Sequence, residues 1–234
     1  MTKNLHKQTF TVKESICTVI SDQQQAIQTA FESITRNRQQ LEDYIKENPK
    51  FLYSLKPLPP PKKPLVAQMM AKATQAAGVG PMAAVAGAIA DLAVEDMKKA
   101  GCEVAVVEDG GEISALSNTT VDVAVAAGDE PLSKRFGFRL SEFPIGVATS
   151  SGRFSHALSF GDAEAATVFC KNASLADAAA TAVGNVVKGE NAEAAIKAGI
   201  SRGQSVEGVE GILIIYKGQV GTAGKIPQII KVEP

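Results

Sequence analysis

Histidine and cysteine are scarce in this chain, and their scarcity removes several kinds of chemistry. The 234 residues include two histidines, His6 and His156, and three cysteines, Cys17, Cys102 and Cys170. The cysteines are far apart, odd in number and without a C-x-x-C pair, which argues against a zinc centre and against a disulfide framework. A reducing compartment, the cytoplasm, fits that spacing. Each cysteine stands in an apolar run and reads as a small core residue. Long apolar runs are missing too, and Met1 to Val12 lacks the apolar segment of a signal peptide, so a chain neither secreted nor membrane-spanning is expected. The formal net charge is −1 and the lysines are scattered, so no basic face for nucleic acid is implied.

What is present is an ordinary globular balance, with 45% hydrophobic and 21% charged residues. The length suits one large domain or two small ones. We read one compact unit, with an N-terminal strand–helix portion and proline-rich connector over 1–64 and an α/β core over 65–234. Thr9 to Ile20 alternates loosely and predicts one or two strands. Ser21 or Asp22 is placed to cap a helix running to about Asn48, where Ile27, Phe31, Ile34, Leu41 and Ile45 share one face and Pro49 ends it. Leu58 to Pro64 is a stiff connector. Helices are expected from Leu65 to Ala77, from Met82 to Ala100 behind Pro81, from Leu175 to Val187 and from Ala192 to Gly199. Strands are expected at Glu103–Val107, Val121–Ala127, Ile145–Ala148 and Ala166–Cys170. A closing hairpin turns at Lys217-Gly218, and Ile229–Val232 adds a last strand. That hairpin argues against a purely parallel sheet.

Four segments carry candidate chemistry. Gly78-Val79-Gly80-Pro81-Met82-Ala83 matches a loose G-x-G-x-x-A pattern, but it follows a helix, which excludes the dinucleotide fingerprint. It does open a helix, so Gly80 is a candidate for an anion site, with an ordinary helix–helix turn as the alternative. Asp109-Gly110-Gly111-Glu112 follows a strand, and its glycines permit either close backbone approach to a ligand or a plain turn. Thr149, Ser150, Ser151 and Gly152 follow another strand and offer hydroxyls to a phosphate. No G-x-S-x-G accompanies them, which speaks against a serine hydrolase. Ser174-Leu175-Ala176-Asp177 reads as a capping box before an apolar helix. Yet Asp177 and Thr181 also fall on one helical stripe with Gly184, and an acid followed by a hydroxyl suits a hard cation.

Together these segments resemble a group of uncharacterised proteins distantly related to the ApbE family of FAD:protein FMN transferases. The likeness is densest from Ala77 to Asn185. It rests on Ala77 to Ala90, Val107-Glu108-Asp109-Gly110-Gly111-Glu112-Ile113, Gly146 to Gly152 and Ala176-Asp177-Ala178-Ala179-Ala180-Thr181-Ala182, in that order. The resemblance implies an α+β fold with a mixed or antiparallel sheet and packed helices. It implies Mg²⁺ held by Asp177 and Thr181, FAD or FMN as the flavin, and phosphate contacts near Gly80, Gly110, Gly111, Thr149, Ser150 and Ser151. It assigns proton transfer to His156. Two departures stand out: the family's Ala-Lys-Gly is here Val85-Ala86-Gly87, and its His-Ile-Ile-Asp-Pro-x-Thr-Gly segment shrinks to His156 to Gly161. The expected function is a Mg²⁺-dependent site for a phosphate-bearing nucleotide or flavin, with FMN transfer or pyrophosphate hydrolysis. The alternative is a small-molecule-binding protein without catalysis. A homo-oligomer built on the small-residue helix Met82–Ala90 is a further expectation.

Overall fold

The computed structural model describes residues 5–124, 136–152 and 161–231. β1 (His6–Val12) and β2 (Ser15–Ser21) form a hairpin, followed by α1 (Gln24–Glu47) and the single turn α2 (Lys50–Tyr53). After the connector come α3 (Leu65–Ala77), a 3₁₀ turn at Pro81–Ala84 and α4 (Val85–Lys99). Strands β3 (Val104–Asp109), β4 (Glu112–Ser117), β5 (Val121–Ala124), β6 (Phe136–Leu140), β7 (Ile145–Ser150) and β8 (Ala165–Cys170) follow. The chain ends with α5 (Ala173–Gly184), α6 (Ala192–Gln204), β9 (Val209–Tyr216), β10 (Gln219–Gly224) and β11 (Gln228–Lys231).

Eight strands form one sheet in the order β1-β2-β3-β4-β7-β8-β9-β10, and β11-β6-β5 form a second. Every pairing is antiparallel. The fold is therefore α+β, and the strands before Pro64 share a sheet with those after it. Helices cover one face of the large sheet and the small sheet covers part of the other. The two faces of each strand sort accordingly. In β3, Ala105 and Val107 join the helix-side core, while Val104 and Val106 join the core between the sheets. All six residues of β8 are buried, which explains why Ala165–Cys170 reads as a continuous apolar run rather than an alternation.

Two strands escape the sequence pattern. β4 reads Glu-Ile-Ser-Ala-Leu-Ser, and Glu112 and Ser114 point to the helix side, where an apolar residue is expected. Ser114 is buried because its hydroxyl donates to Asp91 Oδ1 at 2.7 Å. β6, Phe136–Leu140, lies in the small sheet and is the other. The expected cap of α1 also needs correction. The helix starts after Gln23 with no side-chain cap, and Asp22 Oδ1 accepts from Glu103 N and Val104 N at 3.0 and 2.9 Å instead. Asp22 thus anchors the start of β3.

The helix layer is centred on α5, which packs on α3, α4 and α6 and on strands β7 and β8. Its buried face is almost all alanine, so backbones approach closely. A Cβ on Gly87 of α4 would lie 2.3 Å from the Ala173 carbonyl oxygen, and one on Gly146 of β7 would lie 2.3 Å from Ala173 N. No single helix among the described residues is long and apolar enough to cross a membrane.

Gly87→Ala forces α4 and α5 apart against rigid backbone. We expect a loss of about 2 to 3 kcal/mol, measured by urea unfolding. A loss under about 0.5 kcal/mol would show that the crossing relaxes freely.

Candidate functional site

The start of α5 is held in two ways. Asn172, not Ser174, is the cap residue: its Oδ1 accepts from Leu175 N at 2.9 Å. The buried Asp91, from the middle of α4, accepts from Ala173 N at 2.8 Å and from Ser174 N at 2.9 Å. Ser174-x-x-Asp177 is therefore not a capping box, because the helix begins before it. Asp177 instead reaches across to the start of α4, where its Oδ2 accepts from Gly87 N at 3.0 Å. α4 has no cap of its own and no acid in its first turn. Each helix thus supplies the carboxylate that satisfies the other's free N–H groups and sits at its positive dipole end.

The sheet brings two more carboxylates to this level. Asp109 and Glu112 are paired directly across the β3–β4 turn, so they share one face. The same face carries Cys17 opposite Asp109. Asp109 is buried, with Oδ1 accepting a weak bond from Cys17 Sγ at 3.6 Å. Its Oδ2 has no hydrogen-bond partner among the described residues. Like charges opposite each other in a ladder are unfavourable, and the protonation equilibria reflect it. Burial, opposed by the Gly87 and Ala86 N–H groups and reinforced by Asp109 and Asp91, pushes Asp177 up to about 7. Burial and then the charges of Asp177 and Asp109 raise Glu112 well above the usual range. Burial also raises Asp109, against the Ser15 side chain and then the pull of Arg38, which is itself paired with Glu14.

Gly110 and Gly111 have φ of 68° and 113°. Two successive positive values make the tight turn that joins β3 to β4, which only glycine adopts without strain. Gly110 N donates to Ile16 O at 3.3 Å, so the turn is tied back to β2. A side chain on Gly111 would meet nothing within 4 Å, so its outer side is open. β7 lies beside this turn, since Ile113 pairs with Val147 and one further step brings Glu112 level with Ala148. Ser150, at the end of β7, shares the helix-side face with Ala148. Thr149 takes the opposite face, with its hydroxyl 2.9 Å from that of Thr167. Ser151 is buried just beyond the strand.

Thr181 lies one helical turn past Asp177 and, like it, is half-buried. Gly80 makes its close approach to the protein itself: a Cβ there would lie 1.9 Å from the Ser54 carbonyl oxygen. His156 lies outside the described residues. So Gly110, Gly111, Ser150, Asp177 and Thr181 gather at one end of the helix–sheet interface, while Thr149 turns its side chain away. Asp91, Asp109 and Glu112 complete the electrostatics of that end. Asp91 carried one sequence signal, a lone acid inside an apolar, alanine-rich helix.

Among the described residues, no group of three or more His, Cys, Asp or Glu is arranged to hold a metal ion by itself. A cavity of about 660 Å³ lies elsewhere, lined by Phe143, Ile145, Phe169, Glu210, Lys225 and Ile226 among others, and contains none of these site residues.

The raised carboxyls make stability depend on pH in a defined direction. The folded chain keeps the Asp177 proton up to about 7, whereas an unperturbed aspartate loses it near 3.8. Between those values the folded state binds more protons at Asp177 than the unfolded one, so the contribution of Asp177 to stability falls as pH rises and levels off above about 7. Asp177→Asn keeps an acceptor for Gly87 N–H but does not titrate, so its stability is expected to fall less over that window. Urea midpoints of the two proteins across the window check this, and parallel profiles would refute it.

Comparison with known proteins gives the family and the fold. A family model described as AbpE bacteria matches residues 3–220. A protein of Methanosarcina acetivorans described as a UPF0280 protein is 40% identical, over 97% of this chain and 90% of its own length. One of Methanococcus aeolicus with the same description is 36% identical, over 98% and 94%. Among solved structures, the apo flavinyl transferase ApbE of Pseudomonas stutzeri superposes with a TM-score of 0.60 at 15% identity, covering 94% of each chain. The ApbE protein of Thermotoga maritima does so with a TM-score of 0.57 at 11% identity, covering 98% and 97%. These structures share the fold, and the extent of the sequence matches settles the family: the chain belongs to the AbpE bacterial family and has close relatives among the UPF0280 proteins.

Proposed function

We propose that the end of the helix–sheet interface formed by Gly110, Gly111, Ser150, Asp177 and Thr181 binds a phosphate-bearing flavin or nucleotide together with a divalent cation. Transfer of FMN from FAD is the reaction that the family relation favours. One observation carries the reading. Asp109, Glu112 and Asp177 stand within reach of one another's charge, and burial raises the proton affinity of all three. Such a site is stabilised when a cation enters.

The donor set suits Mg²⁺. That ion takes one or two carboxylates and completes its shell with water and substrate phosphate oxygens, so a three-carboxylate cage is not required. Asp177 and Thr181 would hold it, and when bound it would offset charge on pyrophosphate oxygens. The hydroxyls of Ser150 and Ser151 and the open side of the Gly110-Gly111 turn would orient the phosphates. In FMN transfer, an acceptor hydroxyl oxygen forms a bond to the phosphorus of the FMN half. The pyrophosphate P–O bond breaks, AMP leaves, and the hydroxyl proton passes to a base. His156 is the base that the family resemblance suggests.

A second reading, binding without catalysis, has its own support. The family's lysine is replaced within Val85-Ala86-Gly87, and one oxygen of Asp177 is already engaged by Gly87 N.

Titration of the purified chain with FAD, with and without Mg²⁺, separates the readings when AMP and FMN are followed by chromatography. We expect Mg²⁺-dependent FAD binding that weakens at least about tenfold, or about 1.4 kcal/mol, in Asp177→Ala. Asp177→Asn, which keeps the acceptor for Gly87, guards against misreading a folding defect. AMP release with an acceptor protein supports transfer, and FAD binding without release supports the binding reading. Absence of FAD binding under both conditions would sink both.

A further inference from the structure

A second concave surface lies beside the start of α5, next to the Asp177 site. It encloses about 570 Å³ between α3, α4, β4 and the start of α5. It has Asp91 in common with the surroundings of Asp177, but Asp177, Thr181, Glu112, Gly110 and Gly111 are not in its lining. The surface is partly apolar, with Met69, Val94, Leu116 and Leu175 among its lining.

Three lysines from three different elements converge on it: Lys72 of α3, Lys98 of α4 and Lys171 at the β8–α5 corner. Among the described residues none of the three takes part in an ion pair, although Lys46, Lys99 and Lys217 each pair with a neighbouring carboxylate. The contrast is sharpest on α4, where Lys99 pairs with Asp96 and the adjacent Lys98 does not. The lining holds two carboxylates. Asp91 is buried and already accepts from Ser114 Oγ, Ala173 N and Ser174 N. That leaves Glu95 as the exposed negative group against three ammonium groups.

We propose that this groove binds a small amphipathic anion, a carboxylate or phosphate monoester with an apolar body, at a site whose lining excludes Asp177 and Thr181. Charge complementarity selects the head group: three unpaired ammonium groups around one concavity repel each other and gain from an anion. The apolar lining selects the body, and the volume suits a ligand of drug-like size. Glu95 disfavours a second negative charge far from the lysines.

The test uses the full chain and the fluorescent aromatic sulfonate 1-anilinonaphthalene-8-sulfonate, with octanoate, octyl phosphate and FAD plus Mg²⁺ as competitors. Expected is saturable binding of one dye per chain that weakens with added salt. Displacement by octanoate or by octyl phosphate, but not by FAD, is also expected, and the stronger of the two identifies the head group. Lys72→Glu and Lys98→Glu are each expected to weaken the dye about tenfold while leaving the thermal midpoint unchanged. Lys225→Glu, in the neighbouring 660 Å³ cavity, is expected to leave it unaffected. Four results would overturn the proposal: unsaturable binding, affinity in Lys72→Glu and Lys98→Glu unchanged from that of the unaltered chain, displacement by FAD alone among the competitors, or loss of binding in Lys225→Glu only. Because FAD binding is read separately, failure here leaves the reading of the Asp177 site standing, and the reverse also holds.

Discussion

The reciprocal capping of α4 and α5 is the interaction on which the rest depends. Asp91 of α4 closes the start of α5, and Asp177 of α5 closes the start of α4. Both bonds need the helices to touch backbone to backbone, which Gly87 permits because no Cβ stands between it and Ala173. A free N–H group in such a dry contact would cost about 1 to 3 kcal/mol. The crossing therefore fixes its own geometry: the helices meet where each can receive the other's acid. Gly146 extends the same close approach to β7, which sets the height of α5 over the sheet.

That height decides what faces Asp177. The β3–β4 turn and the end of β7 lie at its level, and the turn brings Asp109 opposite Glu112. Three acids meet in a partly dehydrated place because the helix crossing and the hairpin were each built for other reasons. Carboxylates held together in this way bind protons or cations more tightly than isolated ones. A structural cap and a ligand site can then be the same residue. One departure from the ApbE pattern falls at this crossing as well, since Gly87 closes the segment Val85-Ala86-Gly87 where the family resemblance implies a lysine.

Much of the fold was legible in the sequence. α3 falls at Leu65–Ala77, where periodicity puts it, because the Pro64 and Gly78 boundaries are local chemistry. The β9–β10 hairpin follows from Lys217-Gly218 for the same reason. β4 was not legible, because Glu112 and Ser114 face inward toward groups on other elements, Ser114 toward Asp91 of α4 and Glu112 toward Asp177 of α5, rather than toward water. The cap of α5 was misplaced because Asn172 and Asp91 do the work that Ser174 and Asp177 seemed suited to. Of the site, the motifs at Gly110-Gly111, Ser150 and Asp177 could be found by pattern, whereas the part played by Asp91 required the contact itself.

By itself, the sequence determined most of the elements and much of the alternation that sorts residues between the two cores. Those follow from local backbone preference and from composition. Tertiary structure decided which acids stand together, which glycines serve turns and which serve contacts, and why Thr149 and Ser150 face opposite ways across the sheet. It did so because these properties belong to pairs of elements. A carboxylate's role depends on which N–H groups and charges come within a few ångströms of it, and α4 and α5 meet only after some eighty residues of chain have folded between them.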